Sequence, residues 1–268
     1  MNNILEMIKN EKVEWKKLGD VCEIGTGKSN TNQQVENGKY PFYVRSKDIK
    51  RIDEYEFDEE AIIIPGEGGI GEIYHYINGK YALHQRAYRI HVLKDYIKSK
   101  YVYYYMQAYF YNFILKSAVG STVSSIRKGM IENFEIPIPS LKTQERIVKI
   151  LDTMVDHFTQ LEAELEARNK QYEHYRYKLL SEKYLNKLTK KYNSDCSNYE
   201  LKEFTLGQVI KLKNGKDWKK LNKGTIPVYG SGGPMEVYVN KFSYNKETVL
   251  IPRKGSIDNV FYLDKPFW

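Results

Sequence analysis

From about Thr143 to Lys183 the apolar residues keep a seven-residue spacing, in a stretch free of glycine and proline. Leu151, Phe158, Leu165, Tyr172 and Leu179 form one column. Ile147, Met154, Leu161 and Tyr175 form a second, offset by three, with Arg168 as its polar interruption. Alternating steps of three and four are the seam of a coiled coil, sustained for about five heptads. The pattern predicts a helical rod of roughly 60 Å whose single apolar edge needs a partner helix. Pro137 and Pro139 stand ahead of it, where they cannot interrupt the helix. Ser140 and Thr143 compete for its N-cap, and Arg146 three residues after Thr143 forms no capping box. Glu145, Asp152 and Asp156 near its start, with Lys178, Lys183 and Lys187 near its end, suit the helix dipole. The polar stretch Lys190 to Asn198 ends it.

Ahead of the rod the pattern changes to short apolar runs separated by turn residues. Tyr40–Val44 and Ala61–Pro65 read as buried strands, and Gly71–Ile77 and Tyr81–Val92 as further strands. From Tyr96 to Ala118 the spacing is helical, with Tyr101, Tyr104, Tyr105, Ala108, Phe110, Phe113, Ile114 and Leu115 on one side. A Gly/Ser/Thr loop, a short helical turn and a last strand lead into the rod. The class is α+β, built on a mixed α/β domain of about 140 residues.

Behind the rod the same sequence begins again. Leu18-Gly19-Asp20-Val21 is echoed by Leu206-Gly207-Gln208-Val209, and Gly27-Lys28 by Gly215-Lys216. Tyr40-Pro41-Phe42-Tyr43 is echoed by Ile226-Pro227-Val228-Tyr229, and Ala61–Pro65 by Thr248–Pro252. Gly68-Gly69-Ile70 returns as Gly255-Ser256-Ile257, and every pair lies 186 to 188 residues apart. The expected organisation is a domain over 1–140, a coiled-coil spacer helix over 141–190, and a partial second copy over 191–268. By the same offset Trp268 corresponds to about Tyr81, so the second copy is expected to lack the counterpart of the Tyr96–Ala118 helix. Half a domain does not bury its apolar face. Either the chain is truncated or another chain completes it.

Composition changes this picture in one direction. The 268 residues hold 42 Lys and Arg against 34 Asp and Glu, a net charge of +8, which favours an anionic partner. Cys22 and Cys196 stand far apart, with no metal-ligand cluster. No apolar run approaches a membrane span, so a cytoplasmic location with no membrane is expected.

Motifs for chemistry are lookalikes. Gly66-Glu67-Gly68-Gly69-Ile70-Gly71 matches a dinucleotide-binding string, yet a strand pattern follows it instead of a helix. Gly25-Thr26-Gly27-Lys28-Ser29 resembles the end of a P-loop, but Cys22 stands where the first glycine belongs. Glu14-x-Lys16 has a nuclease-like spacing and reads better as a salt pair at a strand edge. The basic loops are the better candidates for a site. Lys28, Arg45, Lys47, Lys50 and Arg51 cluster near predicted strand ends, His84, Gln85 and Arg86 follow Tyr81-Ala82-Leu83, and Ser121, Thr122, Arg127 and Lys128 follow Gly120. Arg, Gln and His pair with base edges, whereas Lys, Ser and Thr more often meet phosphates.

A domain, a long heptad helix and a repeated domain together resemble the DNA-specificity subunit of type I restriction–modification systems. The stretches that carry the likeness are WKKLGDV, YPFYV, IIIPGEGGIG with YALHQRAY, GSTVSSIRKGMIENFEIPIPSLKTQERIVKILD, and LEARNKQYEHYRYKLL. The resemblance implies two target-recognition domains, each reading half of a bipartite site in double-stranded DNA, with paired antiparallel helices setting the gap. It implies methyltransferase (modification) subunits and a motor-nuclease (restriction) subunit as partners. No catalytic residues or cofactors are expected in this chain; S-adenosylmethionine, ATP and Mg²⁺ would belong to the partners. With one rod per chain, a homodimer through antiparallel spacer helices is expected. The alternatives are a stand-alone nuclease or nucleotide-dependent enzyme using the Gly-rich loops, and a coiled-coil scaffold whose heads have no affinity for DNA.

Overall fold

The computed structural model describes residues 11, 13–117, 125–193, 200–255 and 258–268. They form two compact units, Met1–His174 and Tyr175–Trp268.

In the first unit, β1 (Glu14–Lys17) and a one-turn helix α1 (Leu18–Val21) lead into β2 (Cys22–Thr26), β3 (Tyr40–Tyr43), β4 (Lys50–Ile52), β5 (Phe57–Pro65), β6 (His75–Leu83) and β7 (Ala87–Val92). The last six make one sheet in the order β2-β7-β5-β6-β3-β4, antiparallel apart from β3 with β6. Helix α2 (Ser99–Ser117), the short α3 (Lys128–Glu132) and β8 (Glu135–Ile138) follow, and β8 pairs antiparallel with β1.

The unbroken apolar run of β5 is explained by burial on both faces. Ile62 and Ile64 face a core completed by Leu18, Val21, Ile90, Val102, Phe110 and Ile136, whereas Ala61 and Ile63 join Tyr43, Tyr81, Leu83 and Ala87 on the other side. The buried column of α2 is Val102, Met106, Phe110 and Ile114, at a spacing of four. Leu115 and Ala108, expected on that side, are exposed. Apolar residues fall on nearly every face of this tyrosine-rich helix, so its spacing alone did not select the buried stripe.

Helix α4 (Leu141–Leu179) is the expected rod: 39 residues, about 58 Å at 1.5 Å per residue. Ser140 takes the N-cap role, its carbonyl accepting the Thr143 and Gln144 N–H groups at 3.0 Å. The helix stops four residues before Lys183. Ser181 makes the break: its hydroxyl donates to the Lys178 carbonyl at 2.7 Å and accepts the Tyr184 N–H at 3.3 Å, opening α5 (Glu182–Asn193).

The second unit continues from α5 with α6 (Leu206–Val209), β9 (Lys223–Gly230), β10 (Gly233–Val239), β11 (Thr248–Leu250) and β12 (Phe261–Leu263). Its pairing repeats that of the first unit at several positions, although Val239 pairs with Lys223 where Ile52 pairs with Tyr40. Pro41 opposite Arg51 becomes Pro227 opposite Tyr238. Ile62 opposite Tyr76 becomes Val249 opposite Tyr262. Phe57 opposite Tyr81 becomes Tyr244 opposite Phe267. The edge-to-face rings Tyr43 and Tyr81, 5.8 Å apart, return as Tyr229 and Phe267, 6.0 Å apart. The parallel pairing of Phe42 with Ala82 returns as well, since Tyr229 donates to the Trp268 carbonyl and Trp268 donates to that of Pro227. A Cβ on Gly38 would lie 2.5 Å from the Ile52 nitrogen, and one on Gly224 would lie 2.4 Å from the Val239 carbonyl oxygen. Both positions are glycine because backbone crosses backbone there.

In the second unit one face of the strands is covered and the other is exposed. Val228, Val239 and Phe267 are buried, like their counterparts Phe42, Ile52 and Tyr81. The opposite face is bare: Leu206 is 69% exposed where Leu18 is 0%, and Val249 is 54% exposed where Ile62 is 0%. In the first unit β2 ladders only with β7. Residues 210–214, its counterparts, have no such ladder partner among the described residues and are not a strand.

Candidate nucleic-acid interface

Several chain segments of the first unit meet at the turn between β6 and β7, His84 to Arg86. His84 donates its N–H to the Tyr43 carbonyl at 2.9 Å, just ahead of Arg45. Gln85 donates to the Ser29 carbonyl at 3.0 Å, beside Lys28. The Arg86 carbonyl accepts the Gly66 N–H at 2.9 Å, and the Gly66 carbonyl accepts that of Ile126 at 2.8 Å, beside Arg127. Lys28, Arg45, Gln85, Arg86 and Arg127 are thus drawn from distant stretches into one neighbourhood, and all five are exposed.

At the centre of this basic group stands an acid that the sequence reading did not single out. Glu67 Oε1 accepts from Arg86 Nη1 at 2.8 Å and from Arg45 Nη1. The hydrogen bond from Arg86, assisted by the charges of Arg86 and Arg45, holds the Glu67 carboxyl below its ordinary value. His84 lies buried beside them, its Nδ1 accepting the Arg86 N–H at 3.0 Å. Burial, with the positive charges of Arg45 and Arg86, lowers the His84 pKa from 6.5. The ring is therefore neutral at pH 7, with its proton on Nε2.

The remaining candidates lie elsewhere. Lys47 is exposed beyond β3. Arg51 lies on the edge strand β4, its guanidinium committed to the carbonyls of Gly38 and Lys39, both at 2.9 Å. Lys128 pairs with Glu132 along α3 at 3.6 Å. Ser121 and Thr122 lie outside the described residues. The P-loop lookalike is filled by protein: the N–H groups of Lys28 and Ser29 both donate to the Glu56 carboxylate at 2.9 Å. Glu14 and Lys16 make the expected salt pair, at 2.5 Å. Among the described residues no group of His, Cys, Asp and Glu could hold a metal ion, and no helix is long and apolar enough to cross a membrane.

The root of the rod is gripped by the first unit. Gln144 is fully buried, its carbonyl accepting the Lys98 N–H at 2.9 Å and its amide donating to the carbonyls of Tyr96 and Pro139 at 3.0 and 2.9 Å. Asp152 accepts from Lys100 at 2.8 Å and from Tyr104 at 2.5 Å. Ile147, expected on the pairing seam, packs instead against the unit's core, between the Gln144 and Asp152 bonds that tie the first turns of α4 to Tyr96, Lys98, Lys100 and Tyr104. Leu151 is half-buried, whereas Met154, Phe158, Leu161, Leu165, Tyr172, Tyr175 and Leu179 are exposed.

A unit built on a six-stranded sheet with basic turns, a 39-residue helix and a second unit with matching strand pairings define a modular repeat protein. The chain belongs to the type I restriction modification DNA specificity domain family, whose profile matches residues 10–171 and again 198–268. It is 28% identical over 221 residues to the specificity subunit of the type I restriction enzyme EcoDI of Escherichia coli, covering 79% of this chain and 49% of that protein. Over 201 residues it is 31% identical to the specificity subunit of EcoR124I/EcoR124II of Escherichia coli, covering 65% of this chain and 49% of that one. The chain spans about half the length of these two relatives. Its fold is that of the type I restriction–modification S subunit of Mycoplasma genitalium, with a TM-score of 0.61 and 22% identity over 97% of this chain and 70% of that one.

Proposed function

We propose that this chain is a sequence-reading subunit, which directs methyltransferase partners to a bipartite site in double-stranded DNA and performs no chemistry itself. Residues 1–140 act as a recognition domain, 141–190 as the spacer, and 191–268 as the beginning of a second recognition domain. The observation that carries the reading is a basic-turned unit whose sequence and strand pairings recur after a helix longer than one turn of B-DNA, about 34–36 Å. Lys28, Lys47, Lys128, Ser121 and Thr122 supply phosphate contacts, with the salt dependence those bring. Arg45, Gln85, Arg86 and Arg127 are the candidates for base edges, whereas Arg51 is held by the carbonyls of Gly38 and Lys39. S-adenosylmethionine, ATP and Mg²⁺ act on the methyltransferase and motor-nuclease subunits, in the cytoplasm where the DNA is. Co-expression with the methyltransferase subunits of its system, followed by sequencing of methylated bases, tests the proposal. One interrupted motif is expected; cutting of DNA by the purified chain with Mg²⁺ alone overturns the reading.

The exposed apolar column from Met154 to Leu179 supports a second element of it, a dimer through antiparallel spacer helices. The mass in solution checks this: a dimer is expected, and Phe158→Asp with Leu165→Asp should yield monomers of unchanged helicity.

A further inference from the structure

We infer that Glu67 is a specificity-determining positioning residue, which pins Arg45 and Arg86 so that they read base edges instead of closing on phosphates. The inference rests on the DNA-reading function proposed above. Both guanidiniums meet Glu67 through Nη1, and both meet the same oxygen, Oε1. Each keeps its Nη2 and Nε edge for another acceptor, and a planar pair of donors is what reads the O6 and N7 atoms of guanine. The carboxylate also offsets part of the positive charge that would otherwise draw any DNA backbone to this point.

Three features separate this role from that of an ordinary surface ion pair. Glu67 is anchored where three segments cross: Gly66 is bonded to Arg86, Gly66 in turn to Ile126, and Glu67 bridges Ser125. The side chain is only 34% exposed and faces two cations at once. Finally, the turn does not need an acid. Its counterpart in the second unit is Arg253-Lys254-Gly255, where Gly255 has φ 85° as Gly68 has φ 67°. The same left-handed glycine closes both turns, with a cation in place of Glu67 in the second.

The test compares wild type, Glu67→Gln and Glu67→Asp in the full chain, alone and assembled with its methyltransferase subunits. Binding is measured to a random-sequence 40-base-pair duplex from low to high salt, and preferred sites are selected from a randomised duplex pool. Glu67→Gln should bind the random duplex about tenfold more tightly at low salt, and its log–log salt slope should steepen by about one, the contribution of one further phosphate. Its selected motif should lose information at one or two base pairs. Glu67→Asp, which keeps the charge, should restore the wild-type slope and most of the motif. An unchanged or shallower slope in Glu67→Gln with a native melting curve overturns the inference, as does an identical loss in Gln and Asp variants. If the wild type itself shows no salt-dependent DNA affinity, the DNA-reading function fails and takes this inference with it. That outcome is distinct because it does not involve the variants.

Discussion

The two units share several ladder pairings, an edge-to-face aromatic pair and one glycine crossing each, yet only the first buries apolar residues on both faces of its sheet. In the first, β7, α2, α3 and β8 cover the face that carries Leu18, Val21, Ile62 and Ile64. In the second, the equivalent Leu206, Val209, Val249 and Ile251 are exposed. Strand pairing therefore survives where burial does not. Backbone hydrogen bonds and one buried face, around Val228 and Phe267, suffice to set the register, while the second face governs how much each apolar residue contributes.

This difference can be broken most sharply by paired truncations. Ile62→Ala should lower the free energy of unfolding by roughly 2–5 kcal/mol, the range for a filled core site. Val249→Ala, at the matching position, should change it by no more than about 0.5 kcal/mol. Urea titration followed by amide exchange in each unit reads both, and equal losses would abolish the contrast.

A second substitution tests how the first unit holds its helix. Gln144→Leu strands the Lys98 N–H and the Tyr96 and Pro139 carbonyls, at a cost of about 1–3 kcal/mol for a group left buried and unbonded. Faster amide exchange at Lys98 and in the first turns of α4 is the expected signature. Conversely, the glycine crossings should behave alike. Gly38→Ala and Gly224→Ala each force a Cβ into backbone, and each should cost about 1–3 kcal/mol in thermal or urea unfolding of its own unit. A loss at Gly38 alone would mean that the second crossing is not held.

The smallest effect concerns pH and falls on the first unit alone. His84 has a folded-state pKa below 6.5, so the unfolded chain binds the proton more readily. Its contribution to stability is complete above about pH 6.5 and is lost as pH falls through the lower folded value. Stability measured across this window should fall in wild type and fall less steeply in His84→Gln.

The heptad columns, the 186-to-188-residue repeat and the β5 run were legible in the sequence because each is a periodic or local pattern. Seven-residue spacing has one helical meaning, and a strand buried on both faces must be apolar throughout. The candidate site was legible only as a set of charges. Nothing local distinguishes Glu67, an acid inside a glycine turn, from any other turn residue. Its role exists because β5, the β6–β7 turn and the segment before α3 converge, over separations that no spacing records. Gln144, polar and fully buried, and Ile147, taken from the seam by the first unit's core, were likewise assigned by packing. The sequence by itself determined the elements, their repetition and the sign of the charge. Tertiary structure alone decided which arginines share a carboxylate and which apolar residues are covered, because burial and ion pairing depend on neighbours brought in from far along the chain.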